Sequence, residues 1–368
     1  MKRDSELRRA LREFVDAVVV PAEAELEAGT LDLRDEARAA GLWALPLPAA
    51  LGGGGLPLAD YLALAEDEGR SDHGPAVLGS SSLLTVRMLT AHAHPALREA
   101  VLSPLVAGAI SVAYAMTEPG VAGSDPTSLR TTADQGTDGW WTVRGRKWFT
   151  TGGGDADLVL VVVRTGDGCS VVAVPTDLPG FRVVRELDVL GVGGQHEIEC
   201  DGVRVPPTHL VGEPGQGLRL AAERLALGRT LRALRWVGQA QRCLDLLAAR
   251  ASTRVLGDGV LADRQLVQRL AFEAELAVRA ARLLTREAAT AVAAGERAPV
   301  EVSLAKTAAA RALGEAADAA VQVHGAEGLT AESGLPRLLR VARSARILDG
   351  AEEWHISTTG RRLLRGRG

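Results

Sequence analysis

Three short segments hold the residues whose types and spacing could do chemistry. Residues 114–125, YAMTEPGVAGSD, combine glycines that let backbone approach a ligand with the hydroxyls of Thr117 and Ser124. Loop N–H groups in such a run can cradle phosphate. Residues 145–154, GRKWFTTGGG, set Trp148 and Phe149 beside Thr150 and Thr151 and ahead of three glycines. An aromatic pair there can wall off a planar ring. Residues 342–355, ARSARILDGAEEWH, place one carboxylate, Asp349, between an apolar pair and Gly350, where it could act as a base. Each segment also has an ordinary reading: a turn, core aromatics, a helix stop. Cys169, Cys200 and Cys243 are scattered without metal-ligand spacing, and no HExxH pattern exists. An odd count of thiols suits a reducing compartment, so the expected location is cytoplasmic.

The elements that must position these segments fall into three stretches. Residues 1–110 carry Ala/Leu/Glu/Arg runs such as DYLALAEDEGR, broken by the Gly/Pro stretch LPLPAALGGGGLPL, and predict a helical domain. Residues 111–213 are rich in Val, Thr and Trp. A DG turn at Asp138-Gly139 and the runs LVLVVV, CSVVAVP, FRVVREL and HEIECDGVRVP predict an antiparallel β-domain. Residues 214–368 return to helical periodicity. Leu266, Leu270, Ala274 and Ala277 form one stripe; Val302, Ala305, Ala309, Ala312, Ala316 and Ala320 form another, closed by Gly325. These predict a C-terminal four-helix bundle whose alanine-rich stripes suit close packing, including packing between subunits. The class is therefore α+β.

Composition excludes several functions. The chain has 368 residues, 46% of them hydrophobic, and a formal net charge of −4. Nucleic-acid binding needs clustered cations, and only a short Arg-rich end (Arg361, Arg362, Arg365, Arg367) is present, which reads as a solvated terminus. No run of about twenty apolar residues predicts a membrane span. The amino terminus, MKRDSELRRALREF, reads as a charged helix rather than a signal peptide.

Taken in this order and at these distances, the segments resemble the acyl-CoA dehydrogenase superfamily of flavoproteins across nearly the whole chain. TEPGVAGSD resembles its first signature loop, one residue longer than the usual TEPGAGSD. GLWALPLPAALGGGGLPLADYLALAEDEGR resembles its N-terminal helix-loop-helix, and AKTAAARALGEAADAAVQVHGAEGL its helix and loop that meet FAD across a subunit interface. Leu348-Asp349-Gly350-Ala351 stands where the family has Tyr-Glu-Gly-Thr. With Gly193, Gly194, His196, Glu197 and the stretch ERLALGR at 223–229, it resembles the branch that carries Asp instead of Glu. Better-known members of that branch act on long-chain or hydroxylated acyl-CoA.

The resemblance implies FAD-dependent α,β-desaturation of an acyl thioester. Asp349 would take the α-proton while the β-hydrogen leaves as hydride to flavin N5. The enolate would be held by the backbone N–H of the base residue and a ribityl hydroxyl of FAD, an oxyanion-hole device. Asp is one methylene shorter than Glu, so the resemblance also implies a shifted substrate preference or a slower enzyme. By matching position, Tyr114 and Met116 contact FAD, and Thr117 bonds the pyrimidine edge. Phe149 covers one flavin face, with Thr150 beside it, and Thr151 donates toward N5. Gly123 and Ser124 lie near the pyrophosphate, with Ser124 also near the pantetheine arm. Arg229 and Gly350 lie near the substrate. Arg254, Gln322 and Ala326 hold FAD from a neighbouring subunit, and Glu353 lies near the adenine. The implied assembly is a homotetramer, with a dimer as the minimum, and the implied electron acceptor is an electron-transfer flavoprotein.

Other chemistries share that fold. A carrier-protein thioester could replace acyl-CoA, and nitroalkane oxidase or flavin monooxygenase chemistry could replace desaturation. A non-catalytic relative would keep flavin or partner binding alone. The carboxylate at Asp349 argues against the monooxygenase and non-catalytic readings, since neither needs a base there.

Overall fold

The computed structural model describes residues 2–166 and 168–366; Arg367 of the Arg-rich end lies outside them. Arg361, Arg362 and Arg365 are exposed. The chain folds as two compact units, residues 1–43, 56–78 and 226–368 in one and 44–55 and 79–225 in the other.

The second unit is built on a sheet. Its strands are β1 (Val112–Ala115), β2 (Thr132–Gln135), β3 (Trp141–Thr151), β4 (Leu158–Thr165), β5 (Gly168–Pro175), β6 (Phe181–Val189), β7 (Val192–Val205) and β8 (Leu210–Val211). They lie in the order β6-β7-β3-β2-β4-β5-β8, with β1 paired to β4. The expected antiparallel sheet holds except at β4, which runs parallel to β1 and to the start of β2. Parallel neighbours need a long crossover, and the β2–β3 hairpin between β1 and β4 supplies it. That hairpin turns at Gly139, φ +82°, where the Asp138 carboxylate accepts from the Trp140 N–H. In β4, Val159 to Val163 are all fully buried, which explains an unbroken apolar run in place of alternation. This unit also holds helices Leu83–His92 and Pro95–Ala107 and the first turns of Gly217–Thr253.

The other unit is helical. Helices Gly217–Thr253, Gln265–Ala293, Pro299–His324 and Leu335–Ala345 share one core. The bundle thus has three long helices and a short fourth, followed by Glu352–Leu364. Val302, Ala305, Ala309, Ala312, Ala316 and Ala320 all lie in that core, and Gly325 closes their helix at φ +65°. Small side chains let neighbouring helix axes approach closely. The stripe expected on Gln265–Ala293 holds except at its first residue. Leu266 is exposed, and the buried face of Gln265–Ala293 runs through Ala274, Val278, Ala281 and Ala288. Leu270, Ala274 and Ala277 meet the shared core as expected, whereas Leu266 sits in the first turn of its helix, ahead of the packed region.

Candidate functional site

The loop after β1 is tied to the end of β3 by buried charge. Glu118 is buried and accepts from the N–H groups of Arg130 (2.7 Å) and Thr131 (2.9 Å) and from Lys147 Nζ (2.7 Å). Lys147 is equally buried and also donates to the Met116 carbonyl at 2.8 Å. Burial works against the charged form of each. For Glu118 the donors win and its carboxyl sits below the usual range; for Lys147 burial wins and pulls the ammonium down. The Thr117 hydroxyl donates to the Trp148 carbonyl at 2.7 Å, and the Trp148 N–H donates to the Thr117 carbonyl at 3.1 Å. In this arrangement the proton expected at a pyrimidine edge is held by Trp148, and the Thr117 oxygen can only accept from a further partner. Gly123 and Ser124 are exposed beyond it.

Two neighbours of this loop carry unmet polarity. The Tyr114 hydroxyl is buried without a hydrogen-bond partner, with the Arg224 guanidinium 4.4 Å over its ring, and burial pushes the phenol up to about 12. The Thr150 hydroxyl is likewise buried and unpartnered. Buried polar atoms are nearly always satisfied, so these two mark where a bound polar group would pair. Between Lys147 and Thr150 the β3–β7 register slips, and Phe149 takes φ +52°. A bulge of this kind re-aims a side chain. The Phe149 ring ends 49% exposed, 4.8 Å from the Trp148 ring. Thr151 is also exposed, and its hydroxyl bonds Gln195 at 3.0–3.1 Å.

The carboxylate of Asp349 lies in the helical unit, in the turn between Leu335–Ala345 and Glu352–Leu364. Asp349 has φ +55° and Gly350 φ +100°. Left-handed geometry at a non-glycine residue costs about 1 kcal/mol or more and persists only where the surroundings impose it. Here they do. The Asp349 carbonyl accepts from Arg229 Nε at 2.7 Å and lies 3.2 Å from His355 Nε2. The Gly350 carbonyl accepts from Lys306 Nζ at 2.7 Å. A Cβ at residue 350 would sit 3.0 Å from His355 Nε2 and 3.4 Å from Arg229, so the close packing also selects glycine. The Asp349 carboxylate itself is 3.6 Å from Arg232 Nε. Next along the chain, buried Glu352 is held by Arg311 and by Arg346 at 2.8 Å. Burial opposes its charge, but these bonds keep its carboxyl below the usual range.

Arg254 is exposed just past the end of Gly217–Thr253, and Gln322 and Ala326 are exposed around the end of Pro299–His324. Arg250 and Glu327, 2.8 Å apart, tie those two ends together. Glu353 is exposed in the first turn of its helix. Lys306, His355, Ser303 and Arg232 escaped the sequence reading. Lys306 lies 44 residues from the Gly350 carbonyl and His355 6 from the Asp349 carbonyl, while Ser303 and Arg232 meet side chains, and all four sit on helix faces that read as ordinary packing. Among the described residues no His/Cys/Asp/Glu cluster could hold a metal, the three cysteines are free and buried, and no helix is long and apolar enough to cross a membrane.

The chain belongs to the acyl-CoA dehydrogenase family, a family of FAD-dependent oxidoreductases. It matches the acyl-CoA dehydrogenase N-terminal domain over residues 2–109, the middle domain over 113–203 and the C-terminal domain over 215–364. The Mycobacterium tuberculosis protein FadE2, an acyl-CoA dehydrogenase by name, is 34% identical over 97% of this chain and 94% of its own. Acyl-CoA dehydrogenase family member 11 of Mus musculus is 30% identical over 99% of this chain and 50% of its own. The chain thus spans about half the length of that relative. Among solved structures, an acyl-CoA dehydrogenase by name from Mycobacterium abscessus superposes at TM-score 0.91 with 32% identity, covering 100% of this chain and 99% of that one. The butyryl-CoA dehydrogenase of Megasphaera elsdenii superposes at 0.89 with 26% identity, covering 99% of each.

Proposed function

We propose that this chain binds FAD and oxidises an acyl-CoA thioester to the α,β-unsaturated product, with Asp349 as the base that removes the α-proton. The observation that carries the reading is the strained Asp349–Gly350 turn, whose two carbonyls are drawn inward by three buried or half-buried side chains. The carbonyls take the hydrogen bonds of these donors, and the Asp349 carboxylate, with Arg232 at 3.6 Å and no closer, is left to face a substrate.

Residues 114–124 and 149–151 fit a flavin. Tyr114 and Thr150 offer buried polar atoms without partners, Phe149 offers an exposed ring, and Met116 and Thr117 line the same loop. Gly123 and Ser124 offer open backbone for a pyrophosphate. Arg254, Gln322, Ala326 and Glu353 would hold FAD bound by a neighbouring subunit of a homotetramer. When bound, FAD supplies the acceptor for the β-hydrogen as hydride. The chain's own work is to bind and aim the thioester through Ser124, Arg229 and Gly350, to hold the enolate oxygen on the Asp349 N–H, and to accept the α-proton on the Asp349 carboxylate. An electron-transfer flavoprotein would reoxidise the enzyme. An Asp base at this position supports the reading that the chain belongs to the Asp-carrying branch.

The test is Asp349→Asn, which keeps size and removes the basic lone pair. FAD and thioester binding should survive, while anaerobic flavin reduction by acyl-CoA falls about 100- to 10,000-fold. Asp349→Glu should keep measurable activity on a shifted range of chain lengths. Flavin reduction at the wild-type rate in Asp349→Asn would place the base elsewhere. Glu353 would then be the next carboxylate to test, because Glu352 is committed to Arg311 and Arg346.

A further inference from the structure

We propose that Lys306 and His355 are positioning residues for Asp349, pinning the carbonyls of the Asp349–Gly350 turn and thereby aiming its carboxylate. The inference rests on the reading of Asp349 as the base. Lys306 is fully buried on Pro299–His324, with Nζ 2.7 Å from the Gly350 carbonyl and 5.8 Å from the centre of the Trp236 ring. A buried ammonium is costly unless a strong acceptor meets it. Here the acceptor is a backbone carbonyl of this one turn.

His355 is equally enclosed, with 1% of its surface exposed. Its Nε2 faces the Asp349 carbonyl at 3.2 Å and its Nδ1 faces the Ser303 hydroxyl at 3.0 Å. A carbonyl can only accept, so Nε2 carries the proton and Ser303 donates to Nδ1. The ring is therefore a neutral donor of fixed tautomer. Burial, then the nearby Arg229 charge, pulls its pKa down to about 4, with Lys306 adding and Asp349 opposing. Burial likewise draws Lys306 down to about 8, against the charges of Asp349, Glu352 and Glu353.

The choice of acceptor matters. A cation placed on the carboxylate would compete for the electron pair that takes the α-proton. Lys306, Arg229 and His355 bind the adjacent carbonyls and fix the carboxylate's position, while Arg232, 3.6 Å from the carboxylate, stays beyond hydrogen-bond distance of it. Arg229 shares the Asp349 carbonyl with His355, so the turn is gripped from three sides.

Lys306→Met and His355→Leu, each alone and combined with Asp349→Asn, test this in the FAD-loaded protein. Amide hydrogen exchange across 347–352 reads the clamp, and anaerobic flavin reduction with butyryl-, octanoyl- and palmitoyl-CoA reads its effect. Both single variants should exchange faster at 349–351 and reduce flavin on the order of 100-fold more slowly, as for a base misplaced by about 1 Å, with KM little changed. His355→Gln, whose amide keeps a donor near the Nε2 position, should recover most of the rate. In the Asp349→Asn background neither variant should add a further loss. Unchanged exchange overturns the clamp. Faster exchange with a wild-type rate overturns its role in aiming the base, and so does an undiminished further loss on top of Asp349→Asn. Should Asp349→Asn itself run at the wild-type rate, the base reading fails, while the exchange measurement still decides the clamp. If Lys306→Met does not fold, the His355→Leu and His355→Gln pair carries the same test.

Discussion

The two loops that carry the proposed chemistry are held by opposite devices. In the loop after β1, a buried carboxylate, Glu118, gathers backbone N–H groups from Arg130 and Thr131 and pairs with Lys147. In the Asp349 turn, Lys306, Arg229 and His355 gather backbone carbonyls. The first device buries a full ion pair and ties a strand end to a loop. The second buries no counter-ion at the bonded atoms and leaves the turn strained. A buried pair is expensive to break, whereas donors on carbonyls can be removed one at a time. The first loop should therefore answer to mutation through stability and cofactor binding, and the second through rate.

Breaking the pair gives the largest effect on stability. Glu118→Gln leaves the Lys147 ammonium buried without its counter-charge, and such half-broken pairs cost about 3–5 kcal/mol. The measurement is urea unfolding of the FAD-free protein, followed by FAD titration, where affinity should also fall because Met116 and Thr117 lose their anchor. Combining Glu118→Gln with Lys147→Met should recover part of the loss. A single variant as stable as wild type would remove the distinction between the two loops.

The acid limit of the second device begins at a higher pH than that of the first, because His355 starts from an ordinary imidazole value and Glu118 from a carboxylate one. His355 is held near a pKa of about 4, below its ordinary 6.5, so the fold disfavours its protonation. The unfolded chain then binds the extra proton more readily. The associated stability is complete above pH 6.5 and is lost as the pH falls through that value toward 4. After discounting for solvent screening the contribution is about 2 kcal/mol. His355→Gln cannot titrate, so the stability difference between it and wild type should shift by that amount between pH 7 and pH 4. Parallel acid limbs for the two proteins would show that the ring is not held neutral in the turn.

How far the sequence reached differs between the loops in the same way. Glu118 and Lys147 lie within the two segments read first, TEPGVAGSD and GRKWFTT, so the first loop's anchor sits inside its own motif. The sheet was legible because β4 and β5 are unbroken apolar runs between turn residues, and the alanine stripe of Pro299–His324 because every third or fourth residue is buried. Lys306 was present in AKTAAA and His355 in AEEWH, but side-chain bonds to a backbone 44 or 6 residues away leave no compositional trace. Arg232 looked like one more charge on the face of a long helix, yet it lies 3.6 Å from the carboxylate of Asp349. Leu266 departs from its stripe because it lies in the first turn of Gln265–Ala293, ahead of the packed core that Leu270, Ala274 and Ala277 do meet.

Both loops nevertheless share one feature, a non-glycine residue in left-handed geometry at the point of chemistry: Phe149 at φ +52° and Asp349 at φ +55°. If each position is strained, glycine should be preferred over alanine there by about 1 kcal/mol, because alanine keeps the steric conflict of Cβ with the backbone and glycine does not. Comparing Phe149→Gly with Phe149→Ala isolates this term, since both remove the ring and both should lose FAD affinity alike. The glycine variant should unfold at the higher urea concentration. Asp349→Gly against Asp349→Ala gives the matching comparison in the turn, with a difference of the same sign. Equal stability of the glycine and alanine variants at 149 would mean that the β3 bulge relaxes without the ring. Phe149 would then be turned outward by its own packing rather than by a backbone the sheet imposes.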